Sequence, residues 1–507
     1  MASLIVRRCQ PLFFIALGIL GLLTPIAASA DTSERPDRSL FGTISSGAGL
    51  TCAVTSASEV KCWGLNHVGQ LGTGNQINSF VPVQVQGLSG PIESVIATSY
   101  NGCVVASGGG VKCWGNNNRG QLGNGTTDSS ANTATQVLGL TSGVKAIVGG
   151  EFSNCALLHS GEVKCWGDTY IDFDNDGIED DSNTPATIPG LPQDIVAIST
   201  GGDKFVCVVS TSTGVWCWGA NSRGQLADGT NIDRLTPVRV PNLTTSINSL
   251  SSGAGHSCIV TDSGIVKCWG SNLRGQRGDG TQNHSNIPID VVGLGGPAIA
   301  VTAAYYHTCA LLTSGTVQCW GWNASGQLGD GTTNDSSAPV SVQGLTSTVE
   351  ALTTGNRNSC VLLGNGELKC WGDNTYGQIG DGTDTNRSLP VSVLNFVGAT
   401  TTTTSTTSST TTTQAPAGTT TTTPQNKAVT SGTTTTSPTT SSTTTTTITT
   451  AMATATATAT AKSLQPASLP STGQRNSRTA ILATSLLLTG LILYGYEKKR
   501  RRIGHEW

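Results

Sequence analysis

Seven times the chain repeats one arrangement: a cysteine, nine residues, a second cysteine, then Trp-Gly. The first cysteines are Cys52, Cys103, Cys155, Cys207, Cys258, Cys309 and Cys360, each 51 or 52 residues after the one before. A period sustained at this length means that each unit buries its apolar face against its neighbours. Within a unit such as His307 to Gly321, two β-prone runs flank Thr313-Ser314-Gly315, the pattern of a hairpin with a short glycine-containing loop. With Ser314 at the centre, Cys309 and Cys319 lie opposite one another, where Cα atoms are about 4.5–5.5 Å apart, within the reach of a disulfide. The spacing therefore predicts seven bridges inside the repeats: Cys52 with Cys62, Cys103 with Cys113, Cys155 with Cys165, Cys207 with Cys217, Cys258 with Cys268, Cys309 with Cys319, and Cys360 with Cys370. Zinc is the poorer explanation, because a tetrahedral site wants four ligands at closer Cys-Cys spacing and no second thiol or histidine pair lies near any of these.

After Trp-Gly most copies continue with a turn-rich loop, as in Asn323 to Thr332, then a short strand, Pro339 to Leu345, and a further run, Val349 to Thr353, that leads into the next hairpin. About four short strands per repeat, seven times over, is the arithmetic of an all-β, seven-bladed β-propeller, whose radial closure protects sheet edges. Adjacent Cys and Trp point to opposite strand faces, so the Trp face is expected to pack between neighbouring blades.

The chain divides into four segments. Residues 1–30 read as a signal peptide: Arg7 and Arg8, an apolar run from Leu12 to Leu23, then Ala28-Ser29-Ala30 with cleavage after Ala30. Cys9 leaves with it, and the remaining fourteen cysteines enter an oxidising compartment. Residues 39–397 are the seven repeats. Residues 398–468 are almost entirely Thr, Ser, Ala and Pro, a composition that cannot offset its ordering entropy and reads as a disordered stalk, reaching on the order of 200 Å if extended. Threonine density there permits O-glycosylation. Residues 469–507 hold Leu469-Pro470-Ser471-Thr472-Gly473, an apolar stretch over 479–496 and the basic tail Lys498 to Arg502. This order resembles the cell-wall sorting signal of Gram-positive surface proteins. The resemblance implies transient membrane insertion through 479–496, attack by a sortase thiolate on the Thr472 carbonyl, and transfer of Thr472 to a peptidoglycan amine. Retention of the tail as a membrane anchor is the alternative. Removing both ends takes nine basic and two acidic side chains from the chain's 28 and 31, which leaves a net charge of about −10. That balance gives no electrostatic footprint for nucleic acid.

The repeat itself resembles the regulator of chromosome condensation repeat family. The likeness rests on His-x-Cys-Ala-Leu at His307 to Leu311, Val-x-Cys-Trp-Gly at Val317 to Gly321 and Gly-Gln-Leu-Gly-Asp-Gly-Thr at Gly326 to Thr332. It implies a seven-bladed β-propeller, usually closed by a strand exchanged between the two ends. The loop drifts to Gly224-Gln225-Leu226-Ala227 in the fourth copy and to Gly275-Gln276-Arg277-Gly278 in the fifth. In the third it is replaced by an acidic insertion, Asp172 to Asp181.

That insertion is the one candidate metal site. Asp172, Asp174 and Asp176 followed by Gly177 match the start of an EF-hand-type loop, with the Ile178 carbonyl and Asp180 as further calcium ligands. The twelfth position is Asn183, not the bidentate Glu such loops prefer, and a solvated acidic loop is the plain alternative. His256 and His307, each two residues before a cysteine, read as structural. No Ser-His-Asp order, His-Glu-x-x-His or phosphate loop appears, so no catalytic residue is assigned. The expected function is a cell-wall-anchored binding or adhesion protein that presents a stapled propeller to an extracellular protein or glycan. Alternatives are an extracellular enzyme inhibitor, since a secreted propeller of similar repeat type inhibits β-lactamases, and a wall-bound hydrolase or lyase. Guanine nucleotide exchange, the family's best-known activity, requires a cytosolic partner and fits poorly with export.

Overall fold

The computed structural model describes residues 42–397, apart from 129, 175, 203, 244 and 245. The signal segment with Ala30, the stalk and the sorting signal with Leu469 to Gly473 lie outside the described residues. Among the described residues no helix is long and apolar enough to cross a membrane.

Seven four-stranded antiparallel sheets occupy 44–84, 92–136, 144–187, 195–239, 247–290, 298–341 and 349–392. In the sixth the strands are Ala298–Ala303, His307–Leu312, Val317–Gly321 and Ser336–Ser341, side by side in sequence order. The first strands of all seven sheets line one axial channel of about 230 Å³, so the first strand of each blade is the innermost. The run at Val349, which leads into the next hairpin, is therefore the inner strand of the next blade. The outer strand starts at Ser336 rather than Pro339, because a bulge lets Gly321 pair with Ser336 while Cys319 pairs with Val340. After Ser341 the chain turns inward, the Gln343 N–H bonding the Gly329 carbonyl.

All seven cysteine pairs stand in direct register and are bridged, with Cα atoms 4.0–4.1 Å apart. The Trp-Gly pair that follows has two separate jobs. Gly321 takes φ +108°, and a Cβ there would lie 2.4 Å from the Tyr306 carbonyl oxygen, so only glycine lets the second and third strands close up at this end. The seven tryptophans of these pairs, Trp63, Trp114, Trp166, Trp218, Trp269, Trp320 and Trp371, are at most 2% exposed and pack between blades. Trp114, for example, belongs to the first blade's core with Leu50, Leu71 and Val85. Six of the indoles also donate Nε1–H to the carbonyl of a glutamine in the preceding blade, at 2.9–3.0 Å: Gln70, Gln121, Gln225, Gln276, Gln327 and, for Trp63, Gln378. Trp218 follows the repeat that lacks the Gly-Gln-Leu loop, and it packs against Ile171 and Ile188.

Among the described residues the ring closes without an exchanged strand, contrary to what the family resemblance implies. Both the first and the seventh blade are complete in four consecutive strands. Closure comes instead from Ile44, Ala53 and Trp63 packed against Leu362, Ile379, Val393 and Phe396. Backbone bonds from Asn356 to Gly47 and from Gly382 to Phe80 tie the same seam.

Candidate interaction face

One face of the propeller gathers the loops that join first to second strands and third to outer strands. The scaffold of the second kind of loop is a buried asparagine three residues after six of the seven tryptophans: Asn66, Asn117, Asn221, Asn272, Asn323 and Asn374. Asn323 accepts from the Leu328 N–H at 2.9 Å and donates to Asp330 and Thr332 at 3.2–3.3 Å, and the other five repeat this pattern. A side chain that satisfies a loop from within fixes it without secondary structure. Onto this fixed frame the chain places one residue of free choice after each Trp-Gly, Leu65, Asn116, Asp168, Ala220, Ser271, Trp322 or Asp373. Its N–H bonds a carbonyl in the neighbouring loop, that of Gly49, Tyr100, Phe152, Lys204, Gly255, Tyr306 or Arg357. The second set of seven follows, by one or two residues, positions that line the channel, such as Gly47, Ser99, Tyr305 and Asn356.

Two groups of side chains stand out there. On the second and third blades Tyr100 stacks on Phe152 with centroids 5.7 Å apart, and His67 meets Tyr100 edge-on. On the sixth blade Tyr306 lies edge-on to Tyr305 and Trp322, at 4.8 and 5.9 Å. Arg357 of the seventh blade lies over Trp322 at 5.0 Å and Arg274 of the fifth at 6.0 Å. Sequence reasoning passed over all of these. The signal was available as variation at fixed phase: positions next to the repeated Cys and Trp-Gly that change freely from copy to copy.

The acidic insertion belongs to the same face. The third strand of that blade runs on to Ile171 and the outer strand begins at Asp180, so the insertion is the end of a lengthened hairpin. It keeps the contact the replaced loop would have made, since the Asp172 N–H bonds Leu235 of the next blade at 3.1 Å. Asp172, Asp174 and Asp176 bring carboxylate oxygens within 4.8 Å of one another. Asp172 is 3% exposed and accepts from the N–H groups of Asp176 and Gly177 at 3.1 and 2.8 Å. The Asp176 N–H lowers the pKa of Asp174, but lost hydration and the carboxylates of Asp176, Asp180 and Asp172 outweigh it and hold the group above its usual range. Ile178 is exposed, and Asp180 pairs with Ile171 and turns its carboxylate to the Phe173 N–H at 2.8 Å. Three of the five sequence-assigned calcium residues thus converge, while the Asp180 carboxylate is engaged elsewhere. Beside them Asp168, Glu179 and Asp181 form a second acidic group. Lys204 bridges it, 2.5 Å from Asp168 and 3.5 Å from Glu179. Burial lowers the pKa of Lys204, but these carboxylates outweigh it, while burial and the same acids raise that of Asp181.

His256 and His307 are fully buried structural groups. Thr308 gives its proton to the Gln276 carbonyl at 2.7 Å, so His256 donates Nε2–H to the Thr308 hydroxyl at 2.8 Å. His307, Ser359 and Gln327 repeat the relay one blade on. Burial holds both imidazoles neutral, at about 3. Arg277, a small drift by sequence, is in fact a buried guanidinium paired with Asp279 at 2.5 Å.

The regulator of chromosome condensation (RCC1) repeat profile matches residues 59–105, 214–260, 263–311, 314–362 and 365–412. A second profile of the same repeat matches 247–276, 298–327 and 349–378. The ultraviolet-B receptor UVR8 of Arabidopsis thaliana is 28% identical over 380 residues, covering 73% of this chain and 86% of the receptor. The mouse secretion-regulating guanine nucleotide exchange factor is 27% identical over 385 residues, covering 67% of this chain and 79% of that protein. Human E3 ubiquitin-protein ligase HERC2 is 28% identical over 349 residues, which are 66% of this chain and 7% of the ligase. Among solved structures, yeast Prp20p superimposes with a TM-score of 0.60 at 19% identity, over 71% of this chain and 89% of that one. Human WBSCR16 gives 0.58 at 19% identity, over 65% and 92%. These two likenesses establish the fold.

Proposed function

From the premise that this chain is a member of the regulator of chromosome condensation repeat family, folded as a seven-bladed propeller, we propose that it is a surface protein whose propeller binds another protein outside the cell. The observation that carries this reading is the division of labour on one face. Buried Asn, Gln and Trp groups repeat around the ring, and the variable positions between them carry aromatic rings, guanidiniums and carboxylates. Tyr, Trp and Arg presented on a rigid frame are the residue types that dominate protein interfaces. Family relatives also bind proteins: Prp20p is described with Gsp1p and histones. In this reading the Thr-rich segment lifts the propeller from the wall, and sortase joins Thr472 to peptidoglycan. Exchange on a GTPase is set aside because such a partner is cytosolic. The Asp172, Asp174 and Asp176 loop takes calcium, which would relieve the mutual repulsion that raises Asp174.

Thr472→Ala in the full chain tests the anchoring: the protein should leave the wall fraction for the membrane and medium. Retention in the wall would remove that part. Purified propeller should bind extracellular or host protein surfaces, and deletion of the gene should reduce attachment. Absence of both effects would remove the adhesion reading. Inhibition of a β-lactamase or wall hydrolase by the propeller would support the inhibitor instead, and turnover of a polysaccharide or peptide substrate would support an enzyme.

A further inference from the structure

We infer that the Trp322 stack is the docking point for an acidic segment of the protein partner, with the Arg357 guanidinium as its carboxylate receptor. The inference rests on the protein-binding reading above and assigns it a chemistry. Three blades build the stack: Arg274 from the fifth, Tyr305, Tyr306 and Trp322 from the sixth, and Arg357 from the seventh. Tyr305 also lines the channel mouth, so the stack stands at the rim of the axial opening.

Arg357 differs from the other cations of the propeller in what neutralises it. Lys204, Arg234, Arg277 and Arg387 each lie 2.5–2.7 Å from an aspartate, and Lys112 and Arg239 donate to backbone carbonyls at 2.8 and 2.6 Å. Arg357 is exposed, and among the described residues no carboxylate lies within ion-pairing distance of it. Its described contact is the Trp322 ring. A guanidinium over an indole keeps its N–H donors at its own rim, in the fork that matches a carboxylate bidentately. The stack also restricts the side chain, which reduces the ordering cost of binding. Arg274 lies 3.6 Å from Asp335 and 6.0 Å from the indole centroid, and adds positive charge to the same stack.

The same geometry argues against a sugar as occupant. A saccharide needs an open aromatic face, and here guanidiniums lie over Trp322 while Tyr306 meets its edge. What stands exposed is the cationic rim of Arg357, with Tyr306 nearby in the stack, which fits a peptide bearing Asp or Glu next to an apolar residue.

The test uses the full chain and a fluorescein-labelled decapeptide of alternating glutamate and leucine, with the glutamine analogue as control, read by fluorescence anisotropy at low salt. The glutamate peptide should bind saturably and the glutamine peptide at least about tenfold more weakly. Arg357→Gln should weaken glutamate binding at least about tenfold. Arg357→Lys should recover part of it, because charge returns without the fork. Arg239→Gln, which removes a cation at the opposite end of a blade, should change nothing. Equal binding by Arg357→Gln and wild type, equal loss in Arg239→Gln, or tighter binding of a polyuronate than of the peptide would each overturn the inference. So would self-association through this face in sedimentation. A native partner whose capture survives Arg357→Gln would sink this assignment while leaving the protein-binding reading intact.

Discussion

The indole N–H of Trp63 in the first blade donates to the Gln378 carbonyl in the seventh, 3.0 Å away. The same bond links Trp320 to Gln276 at an internal interface, 2.9 Å. The seam of the ring is therefore built like five of the six internal joints between blades, and among the described residues no strand is exchanged across it.

Truncating the seam should cost as much as truncating an internal joint. Trp63→Ala and Trp320→Ala should each destabilise by about 3–5 kcal/mol, the usual cost of emptying a large buried aromatic. Trp63→Phe keeps most of the apolar contact and should lose about 1 kcal/mol with the hydrogen bond. Chemical denaturation measures all three, and a near-neutral Trp63→Ala would mean that the ring does not depend on this joint.

The seven bridges each close a short loop, with a sequence separation of 10. In the loop-entropy account, removing one by Cys309→Ala with Cys319→Ala should cost about 3 kcal/mol. Thiol titration of the unreduced protein in guanidinium should find no reactive thiol in the propeller. Titratable thiols there would contradict the paired state.

His256 and His307 set a pH dependence whose sign is fixed. Their folded values near 3 lie below about 6.5 in an unfolded chain, so between these limits the unfolded state binds the proton and the folded state does not. Stability is complete above about 6.5 and is lost as pH falls towards 3, by up to about 1.4 kcal/mol per unit for each histidine. Arg277 beside His256 works in the same direction. The double variant His256→Asn, His307→Asn carries the residue found at Asn101 and Asn358, and its melting temperature should fall less steeply with acid. An unchanged slope would assign the effect to the carboxylates.

Calcium should raise the melting temperature of the wild-type chain and leave Asp174→Asn, Asp176→Asn unaffected. Magnesium should do less, since it demands a tighter octahedral cage than a hairpin end supplies. A calorimetric titration without heat would remove calcium from the proposal.

Much of the fold is written in local spacing. A hairpin aligns residues equally far from its turn, so Cys309 and Cys319 must meet, and neighbouring Cys and Trp must face opposite ways. Those facts need only the chain's own neighbours. Strand ends were less legible: the irregularity between Cys319 and Gly321 moves the start of the outer strand back to Ser336. The Asn323 scaffold was visible as the phrase Trp-Gly-x-Asn, present in six repeats, but its meaning depended on which backbone groups the loop left unpaired.

What the sequence determined by itself was therefore the periodic part: seven repeats, seven bridges, strand count and the strand face that carries each Trp, because each follows from the pattern within one repeat copied around the ring. What only the tertiary structure decided was everything made between repeats. Arg274, Trp322 and Arg357 lie on three blades, spread over more than eighty residues, and meet because the ring brings the third-to-outer-strand loops of two blades beside the first-to-second-strand loop of the next. The choice of face, the meeting of these three and the way the ring closes all depend on how one blade turns onto the next. That turn is set by packing across the Trp interface, where no local pattern reaches.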